Sequence, residues 1–597
     1  MPPDLSRSLP LRPPRRTRRS GARPPTTADG LLRLVLRRQR RRLLVAVPLL
    51  GVWALCEVLV PVAAGWTVDR AVLTGDVGAL VTSVLAIAAL FVVLSLSYRA
   101  GIRPLLAAQE HEGHALRVAV ARRALDPHGT RSPRPDGGVL SVASSDTERT
   151  ADVLDALALL TSAAVSLGAV AVALLGIHVP LALGVLVGAP LVSLALRVLS
   201  PLVTRRAAAQ QEAVAATSAL ATDLVRGLRV LHGLGAEAAA SARYRRSSDA
   251  ALDASLRSAS ADGAQLGATT LVSGAFLAAV AAVAALLALR GDVSVGELVV
   301  VVGLAQHLSQ PVRLVGSAMQ RLAASRASAA RVAALLAEEP VSGGGGAAPA
   351  GAPSLELRGL RSGRLAGLDL VVSPGELVAV VPRDPAEAAE LLDVLGGRVP
   401  PEEVGGAVRL GGVPWSELDA AAVREVVHVE PHATSLFEGT LASNLDVAPA
   451  RRRPGAPTLA QALRAAGADE VVALDPRGLD RPLLDRGAGL SGGQRQRLGL
   501  ARALLADAAV LVLHDPTTAV DAVTEQGVAR GLRALRHGGD AEERGPGTPR
   551  STLVLSASPA LLAVADRVVV LEGGRAARSG SHAELVADEG YRAAVLG

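Results

Sequence analysis

The chain has 597 residues and half of them are hydrophobic, which favours several domains and raises the prospect of membrane spans. The formal net charge is +7, and arginine supplies it alone, because the sequence contains no lysine. The single cysteine, Cys56, excludes an intrachain disulfide and a cysteine metal cluster.

The N-terminal 42 residues are rich in Pro and Arg. This segment is too long for a signal peptide, and the apolar run after it is long enough to cross a membrane. We expect residues 1–42 to form a disordered cytosolic arm that ends in a positive-inside anchor. Nucleic-acid binding is the alternative, but no aromatic side chain is interleaved to stack on bases. The arginines of this arm include Arg15, Arg16, Arg18, Arg19, Arg37, Arg38, Arg40, Arg41 and Arg42.

Six apolar stretches follow the arm, each close to the roughly 20 residues that a helix needs to cross a bilayer. Together they predict a transmembrane domain over residues 43–336. The stretches lie near 43–66, 78–98, 153–175, 179–200, 265–289 and 294–314.

The connections between these stretches alternate in kind. Those near 67–77, 176–178 and 290–293 are short and carry little positive charge, whereas those at 99–152 and 201–264 are long and rich in arginine. The positive-inside rule therefore places the long loops and both termini in the cytoplasm. We expect a multi-pass protein of the plasma (inner or cell) membrane.

Two ionisable residues, Glu57 and His307, fall within the apolar stretches. Such a group costs about 2.5–3.5 kcal/mol when it faces lipid at the membrane centre, so each is expected to face the bundle interior or a water-filled cavity. Contact with a transported substrate is one interpretation. An interhelical hydrogen bond, or a position near the membrane interface, is the other.

The composition changes after residue 336. Residues 337–352 have the Gly and Pro content of a flexible linker. Over 353–597, short β-branched runs alternate with helical stretches, which predicts an α/β domain. Residues 537–550 are rich in Gly and charge and predict a disordered surface insertion. The runs that predict strands are 377–381, 426–429, 510–513, 553–555 and 568–571.

Within the α/β part, one stretch reads Leu490-Ser491-Gly492-Gly493-Gln494. A serine hydroxyl and glycine amides at the start of a helix can bind an anion, because the first turn of a helix has unpaired N–H groups and a positive dipole end. Glycine also lets the backbone approach a phosphate closely.

This stretch resembles the LSGGQ signature of the ATP-binding cassette (ABC) transporter family. Words in the long loops and before the last apolar stretch agree with the resemblance: Gly138-Val139-Leu140, Gly227-Leu228-Arg229-Val230-Leu231, Gly235-Ala236-Glu237 and Gly296-Glu297-Leu298. The resemblance implies a six-helix, all-α transmembrane domain of the ABC exporter type 1, followed by an α/β P-loop-type ABC ATPase domain. It also implies ATP and Mg²⁺ as cofactors.

The P-loop of this family has the pattern GxxxxGK[ST], whose amides, lysine and hydroxyl hold phosphate and Mg²⁺. Here the strand lead-in 377–381 is followed by a segment without glycine or lysine. On this register Pro382, Pro385 and Glu387 replace the glycines, Ala388 replaces the lysine, and Ala389-Glu390 replace the hydroxyl pair; Arg383 is a candidate substitute cation. Prolines remove amide donors and the carboxylates repel phosphate, so we expect poor ATP binding or none.

The family's D-E-A-T-S-A-L-D pattern falls on residues 514–521. His514 then stands at the metal-binding Asp, and Asp515 at the catalytic Glu. A register shifted by one residue would make Asp515 the metal ligand and Pro516 the missing base. On either register one functional group is absent, so no catalytic residue is expected in this chain's own site.

Three further positions depart from the family. The Gln of the Q-loop falls near Glu430, and the switch histidine falls on Ala557 or Ser558. The segment 355–363 has no aromatic residue to stack on adenine. Residues retained are Ser491, Gly492, Gly493 and Gln494 of the signature and Asp521 of the D-loop, which in this family act across a dimer interface on a partner's ATP.

These departures predict one half of a heterodimeric ABC exporter, an ATPase-coupled translocase whose chain alone is poor or inactive as an ATPase. Its partner would be a second ABC half-transporter with an intact P-loop that binds most of the ATP and Mg²⁺; we expect no metal site in this chain. Membrane lipids and an unknown small-molecule or peptide substrate are expected contacts, and nucleic acid is not. The alternatives are a non-transporting membrane regulator or scaffold, and an importer built on the exporter fold.

Overall fold

The computed structural model describes residues 26–126, 128–129, 136–196, 200–341, 344–349, 351–446, 455–484, 487–538 and 549–595. The chain divides into two compact units. The first comprises Met1–Ala121 and Pro135–Ala337, and the second comprises Arg122–Arg134 and Glu338–Gly597.

The described part of the first unit is helical. Five of its helices are long and apolar enough to cross a membrane, and a further apolar segment, Val179–Val192, forms most of the shorter helix α6. The helices are α1 (Ala28–Thr67), α2 (Val77–Ala124), α3 (Asp136–Ser141), α4 (Thr147–Ala151), α5 (Val153–Ile177), α6 (Val179–Leu196), α7 (Ser200–Arg226), α8 (Leu228–Leu234), α9 (Glu237–Arg290), α10 (Val295–His307) and α11 (Ser309–Ala337).

The six apolar stretches predicted from the sequence all lie on helices. The fourth, predicted at 179–200, is α6, which has 18 residues in one run. The two long loops are helical extensions of the spans, formed by the end of α2 and by α7 to α9. A multi-pass membrane protein is therefore confirmed, with helices that continue well beyond the bilayer.

The predicted disordered arm is wrong for residues 28–42, because α1 begins at Ala28. The Thr27 hydroxyl caps this helix by accepting a bond from the Gly30 N–H at 3.2 Å. Arg38 then donates to the buried carboxylate of Glu112 on α2 at 3.1 Å. Part of the arginine cluster thus holds two helices together. Residues 1–25 lie outside the described residues.

The helices α1 and α10 approach closely through glycine. A side chain on either Gly65 or Gly296 would overlap the carbonyl oxygen of the other. Asp69 closes this contact at the helix end, since its carboxylate accepts from the Gly296 N–H at 2.7 Å and from the Ser294 hydroxyl. Glycine is required here because two backbones touch.

The sixth span changes at the junction of α10 and α11. Pro311 has no N–H, so it cannot donate to the His307 carbonyl four residues earlier, and its ring crowds that carbonyl. Leu308 between the two helices keeps helical dihedrals, and its N–H still donates to the Leu304 carbonyl. His307 therefore lies at a proline-induced irregularity of one continuous span.

The second unit is an α/β domain with three sheets. The largest has the order β12-β11-β3-β10-β9-β6, a four-stranded sheet has the order β2-β1-β4-β5, and β7 pairs with β8. The strands are β1 (Leu355–Ser362), β2 (Leu365–Val372), β3 (Leu377–Pro382), β4 (Gly405–Leu410), β5 (Val413–Pro414), β6 (Val427–Glu430), β7 (Gly439–Thr440), β8 (Pro482–Leu483), β9 (Val510–His514), β10 (Ser551–Leu555), β11 (Arg567–Glu572) and β12 (Arg575–Gly580).

The centre of the large sheet is parallel, with Leu377 of β3 opposite Thr552 of β10 and Val510 of β9 opposite Ser551. Its strands are continuous hydrophobic runs because helices cover them. The predicted runs 377–381, 510–513, 553–555 and 568–571 all lie on strands of this sheet. The covering and flanking helices are α12 (Pro385–Leu395), α13 (Ala420–Val426), α14 (Leu441–Leu445), α15 (Leu459–Ala465), α16 (Asp469–Ala473), α17 (Gly492–Leu505), α18 (Ala522–His537), α19 (Pro559–Ala563), α20 (His582–Leu585) and α21 (Glu589–Val595).

The described part of the predicted linker is attached to the α/β domain. The Gly346 N–H donates to the Glu417 carbonyl at 2.9 Å, and the Asp419 N–H donates to the Gly346 carbonyl at 2.8 Å. A short segment from the first long loop joins the same unit, since Arg123 Nη2 donates to the Glu338 carbonyl at 2.7 Å. In place of the predicted boundaries 43–336 and 337–352, the second unit contains Arg122–Arg134 and begins again at Glu338. Composition identifies flexible residues but not the hydrogen bonds that fix them.

The predicted insertion 537–550 is wrong at both ends. His537 is the last residue of α18 and is buried, and Arg550 Nε donates to the buried carboxylate of Asp507 at 2.6 Å. Residues 539–548 lie outside the described residues.

The His537 side chain is fixed as a neutral imidazole. Its Nδ1 donates to the Gly375 carbonyl at 2.8 Å, because a carbonyl can only accept, and its Nε2 lies 2.8 Å from the Thr552 hydroxyl. Burial lowers the pKa of His537 to about 4.

We predict that His537 makes the second unit less stable in acid. An unfolded histidine, with a pKa of about 6.5, binds a proton that the folded ring cannot accept, so stability should fall by on the order of 3 kcal/mol between about pH 6.5 and pH 4. His537→Gln should flatten this part of the curve. Denaturant unfolding of the full chain with Trp53 and Trp66 replaced by Phe, followed by the fluorescence of Trp415, measures both slopes. Parallel curves would contradict the prediction.

Candidate functional site

The segment at the P-loop position is a tight connection between β3 and α12. Only Arg383 and Asp384 separate the last strand residue, Pro382, from the first helical residue, Pro385. The Asp384 carboxylate caps α12 by accepting from the Ala386 N–H at 2.9 Å, and the Glu387 N–H donates to the Asp384 carbonyl at 3.0 Å. These amides, which a phosphate would need, are bonded within the chain.

The residues at the lysine and glycine positions are packed inward. Ala388 is 0% exposed and belongs to the hydrophobic core of the sheet. Glu387 is also buried, and its Oε1 accepts from the Gly574 N–H at 2.7 Å. Ala389 is exposed on the other side of the helix, and Glu390 accepts from the Ser362 hydroxyl. The first turn of α12 thus occupies the place of an open loop.

The candidate cation Arg383 lies close to a carboxylate of the chain. Its backbone N–H donates to the Leu571 carbonyl at 2.9 Å, and its guanidinium Nε lies 4.0 Å from the Glu572 carboxylate. The Asp384 carboxylate is approached instead by Arg364 Nη1 at 3.3 Å. Each cation near the connection therefore faces a carboxylate of the chain.

The metal and base positions lie at the end of β9. His514 is the last residue of this strand, and Asp515 follows it directly. Asp515 has a left-handed backbone with φ of 44°, a strained conformation for a residue with a side chain. Its N–H donates to the Leu555 carbonyl at 2.9 Å, and its Oδ1 accepts from the Ser556 hydroxyl at 2.8 Å.

The surroundings of His514 favour the neutral form of its imidazole. Burial lowers its pKa, the nearby Asp515 carboxylate raises it, and the His432 ring lowers it, with a net lowering. His514 Nε2 lies 3.7 Å from Asp515 Oδ2, and its ring centroid lies 5.8 Å from that of His432.

Sequence reasoning missed His432 and Ser556. The signal for His432 was its position just beyond β6, since neighbouring parallel strands such as β6 and β9 bring their carboxyl ends to one edge. Ser556 directly follows β10, the neighbour of β9 on its other side.

Glu430, at the Q-loop position, ends β6 and is buried. Its Oε1 accepts from Arg502 Nη2 on α17 at 3.3 Å and from the Thr434 hydroxyl at 3.4 Å. Its Oε2 lies 3.3 Å from His428 Nε2. The carboxylate therefore joins the Q-loop to the signature helix.

A cavity of about 560 Å³ lies beside this edge of the sheet, with His428, His432, His514, Arg424 and Trp415 in its wall. In the described ranges, no group of three or more His, Cys, Asp or Glu side chains is arranged to hold a metal ion.

These observations test whether Mg²⁺ and ATP fit the site of this chain. Mg²⁺ requires oxygen ligands in an octahedral arrangement, and His514 presents an imidazole where the family has a carboxylate. Phosphate requires free amides and a cation, and Asp384, Glu387 and Ala388 fill those positions with two carboxylates and a buried methyl group. The residues present at this site therefore do not fit Mg²⁺ or the phosphates of ATP.

The signature stretch is arranged differently. Ser491 is the N-cap of α17; its hydroxyl accepts from the Gln494 N–H at 3.2 Å, and Gln494 Oε1 accepts from the Ser491 N–H at 2.9 Å. Ser491 and Gly492 are exposed. The helix thus presents its N-terminus to solvent, and its cap is a neutral hydroxyl rather than a carboxylate.

The signature helix is joined to the D-loop. A side chain on Gly493 would overlap the Ala519 carbonyl oxygen, so glycine is needed there for packing. The buried Gln496 accepts from the Ala519 N–H at 2.9 Å and donates to the Thr518 hydroxyl at 2.9 Å. Asp521 follows as the N-cap of α18, and backbone bonds from Thr524 hold its pKa below the usual range.

Ser558, at one of the two switch positions, acts as the N-cap of α19. Its hydroxyl accepts from the Leu561 N–H at 3.3 Å, and its own N–H donates to the Ser556 hydroxyl oxygen at 3.2 Å. The described contacts of Ser558 are thus those of a helix cap.

Glu57 and His307 belong to the first unit. Glu57 lies half-buried on α1, and His307 ends α10. In the described part of the chain, the buried Nε2 of His307 has no hydrogen-bond partner. An apolar cavity of about 500 Å³ lies between α1 and α5, lined by side chains that include Val58, Val62 and Val172.

Two family models match the chain in order. The model of the ABC transporter transmembrane region matches residues 72–312, and the model described as ABC transporter matches residues 365–518. A structure of a bacterial Atm1-family ABC exporter with ATP bound is similar over 94% of this chain and 98% of that chain, with a TM-score of 0.71 and 24% identity. The chain belongs to the ABC transporter family. Its fold is an ABC exporter transmembrane domain followed by an ABC ATPase domain, here called the cassette.

Relatives of this ABC exporter chain include two proteins named ATP-dependent lipid A-core flippase. That of Chromohalobacter salexigens is 29% identical over 416 residues, which cover 68% of this chain and 69% of the relative. That of Alkalilimnicola ehrlichii is 35% identical over 231 residues, 39% of this chain, and the match spans only 37% of the relative's length.

We predict that restoring the lysine alone does not restore nucleotide binding. Ala388→Lys would place an ammonium group in the core and should destabilise the cassette by about 4 kcal/mol, as expected for a buried unpaired charge. The matched control is Ala389→Lys, the exposed neighbour on the same helix, which should be tolerated. Trp415 fluorescence during unfolding measures stability, and titration of the full chain with fluorescent MgATP measures binding.

Wild type and both variants should lack saturable binding in the micromolar range, equivalent to about −8 kcal/mol. A stable Ala388→Lys chain that binds MgATP would show that the loop can open.

Proposed function

We propose that this ABC exporter chain is the half of a heterodimeric transporter that contributes its signature motif to the ATP site of its partner. The observation that carries the proposal is the contrast between two helix N-termini of the cassette. At α12 the first-turn amide of Ala386 is taken by Asp384, whereas at α17 the N-terminus is exposed at Ser491 and Gly492.

The contrast has a simple electrostatic basis. Both helices present unpaired N–H groups and a positive dipole end, which favour an anion. A carboxylate already satisfies α12, so a phosphate there would meet like charge. At α17 the cap is a neutral hydroxyl, so the cap itself does not repel a phosphate from outside the chain.

The partner would be a second ABC half-transporter whose own P-loop binds ATP and Mg²⁺, and hydrolysis there supplies the free energy of transport. In this chain Ser491 and Gly492 would face that site. Gln496 holds them in place relative to the D-loop through Ala519, and Arg502 joins the same helix to Glu430 of the Q-loop. A change at the signature therefore reaches the Q-loop through direct contacts.

We further propose that the chain spans the cell membrane six times with both termini in the cytoplasm. The proposed substrate is amphiphilic or lipidic. The apolar cavity between α1 and α5 would suit the apolar body of such a molecule. The polar His307, at the junction of α10 and α11, would suit its polar group. The names of the flippase relatives agree with this class. A regulator that transports nothing would have no use for an open signature helix, and import rather than export remains the second direction to test.

We predict that Ser491→Asp inactivates the assembled transporter. Aspartate caps a helix as well as serine, so α17 should stay intact, but its carboxylate would face the partner's phosphate. Loss of one preorganised donor typically reduces turnover by about 10²–10³-fold, and a repelling charge should reduce it at least as much. Steady-state ATPase and transport rates of the complex with its partner measure the effect.

Ser491→Asn is the matched control, because asparagine also caps but carries no charge, and it should keep most activity. Asp515→Asn should likewise keep most activity, since hydrolysis would not occur in this chain's own site. An inactive Asp515→Asn complex together with an active Ser491→Asp complex would reverse the proposed division of labour.

A further inference from the structure

His128 lies between two carboxylates in the second unit. Its Nδ1 is 2.7 Å from Asp126 Oδ1, on the same short segment, and its Nε2 is 3.2 Å from Asp419 Oδ2, at the start of α13 of the cassette. The segment that contains His128 comes from the first long loop, between α2 and α3, and belongs to the second unit.

The geometry defines the charge of the ring. An ionised carboxylate can only accept hydrogen bonds, so both ring nitrogens must carry a proton, which makes His128 an imidazolium. Hydrogen bonds to Asp126 and then to Asp419 raise the pKa of His128 above its ordinary value, while burial opposes them.

The two carboxylates show the reciprocal effect. Burial raises the pKa of Asp126, but hydrogen bonds from the backbone and ring of His128, and the charge of Arg123, bring it below its ordinary value. The backbone bond from Ala422 and the bond from His128 lower the pKa of Asp419. The charged groups that act on His128 are therefore Asp126 from its own segment and Asp419 from the cassette, with Arg123 beyond Asp126.

The bonds around His128 connect its segment to two parts of the cassette. The His128 carbonyl accepts from the Val341 N–H at 3.0 Å. Asp419 also caps α13, accepting from the Ala421 N–H at 2.8 Å and the Ala422 N–H at 3.1 Å. Loss of the imidazolium would thus leave the cap in place and remove the one charged side-chain bond from His128 to the cassette.

We propose that His128 is a positioning residue that attaches the tip of the first cytoplasmic loop to α13 of the cassette through its protonated ring, so that the attachment weakens when the ring loses its proton. The proposal does not depend on which subunit binds ATP. It gives this ABC exporter chain a proton-sensitive attachment at the segment that continues directly into the membrane helix α2.

The direction of the pH dependence follows from linkage. A histidine whose pKa is raised in the folded state contributes its full stabilisation below the unfolded value of about 6.5 and loses it as pH rises through the folded pKa. The attachment should therefore be tight in mild acid and weaken in alkaline solution.

The test uses the full chain in lipid nanodiscs and hydrogen exchange followed by mass spectrometry. Exchange at the imidazole C2 position reports the pKa of His128, which should exceed the ordinary value of about 6.5 and decrease in Asp419→Asn. Amide exchange, corrected for the intrinsic effect of pH, should show protection in the peptides around residues 123–129 and 338–346 that is lost between about pH 6 and about pH 9.

Two variants separate charge from shape. His128→Arg keeps a positive charge at every pH and should keep the protection throughout, whereas His128→Gln should lack it throughout. His111→Gln, a histidine on α2 whose ring bonds only its own helix at Ala107, is the matched control and should behave as wild type.

A wild-type His128 that titrates at or below about pH 6.5, or amide protection that does not change with pH, would overturn the proposal. Because these readouts involve no nucleotide and no partner, they stand apart from the proposed role of the signature motif. If His128→Gln fails to fold, the wild-type titration and the His128→Arg variant still decide the question.

Discussion

The structure of the cassette depends on how the N-terminus of α12 is capped. The first turn of any helix has N–H groups without partners, and a carboxylate cap both bonds to some of them and repels a phosphate. In this chain Asp384 takes that position. The helix can then start at Pro385, since proline needs no acceptor for its missing N–H and its fixed φ suits a first helical residue.

The remaining changes in the site are consistent with this cap. Once the loop is wound into a helical turn, the residue at the lysine position points into the core, where alanine packs without cost. The Glu387 carboxylate accepts a hydrogen bond from the Gly574 N–H, and the Glu390 carboxylate accepts one from the Ser362 hydroxyl. The hydrophobic sheet beneath is unaffected, so the cassette keeps the family fold while its own phosphate site is filled by its own side chains.

The signature region retains what the P-loop region lacks. Gln496 connects α17 to the D-loop, Glu430 connects it to the Q-loop, and neither bond requires a nucleotide. In the proposed function this preorganisation serves a ligand that arrives from outside the chain. The two regions thus support opposite roles within one domain, which is the physical basis for proposing a partner with an intact P-loop.

Much of this could be predicted from the sequence. Hydrophobic runs located the strands of the large sheet, and β9 covers the predicted run 510–513 and ends one residue later, at His514. Absent glycines and lysine showed that the P-loop pattern is lost, but not that Asp384 caps a helix there, because capping depends on backbone geometry. The packing of Arg38 on Glu112, the attachment of Gly346 and the burial of His537 were missed since each depends on a partner far away in sequence. His432 and Ser556 required the strand order, which pairs β6 and β10 with β9.

The central claim is that ATP is hydrolysed in the partner's site and not in this chain. The most direct measurement is photolabelling of the assembled complex with a radioactive azido-ATP trapped by vanadate, followed by peptide mapping of both chains. The account predicts that the trapped label lies on the partner, and that Ser491→Asp in this chain abolishes it. Label on the peptide that contains residues 377–390 of this chain would contradict the account.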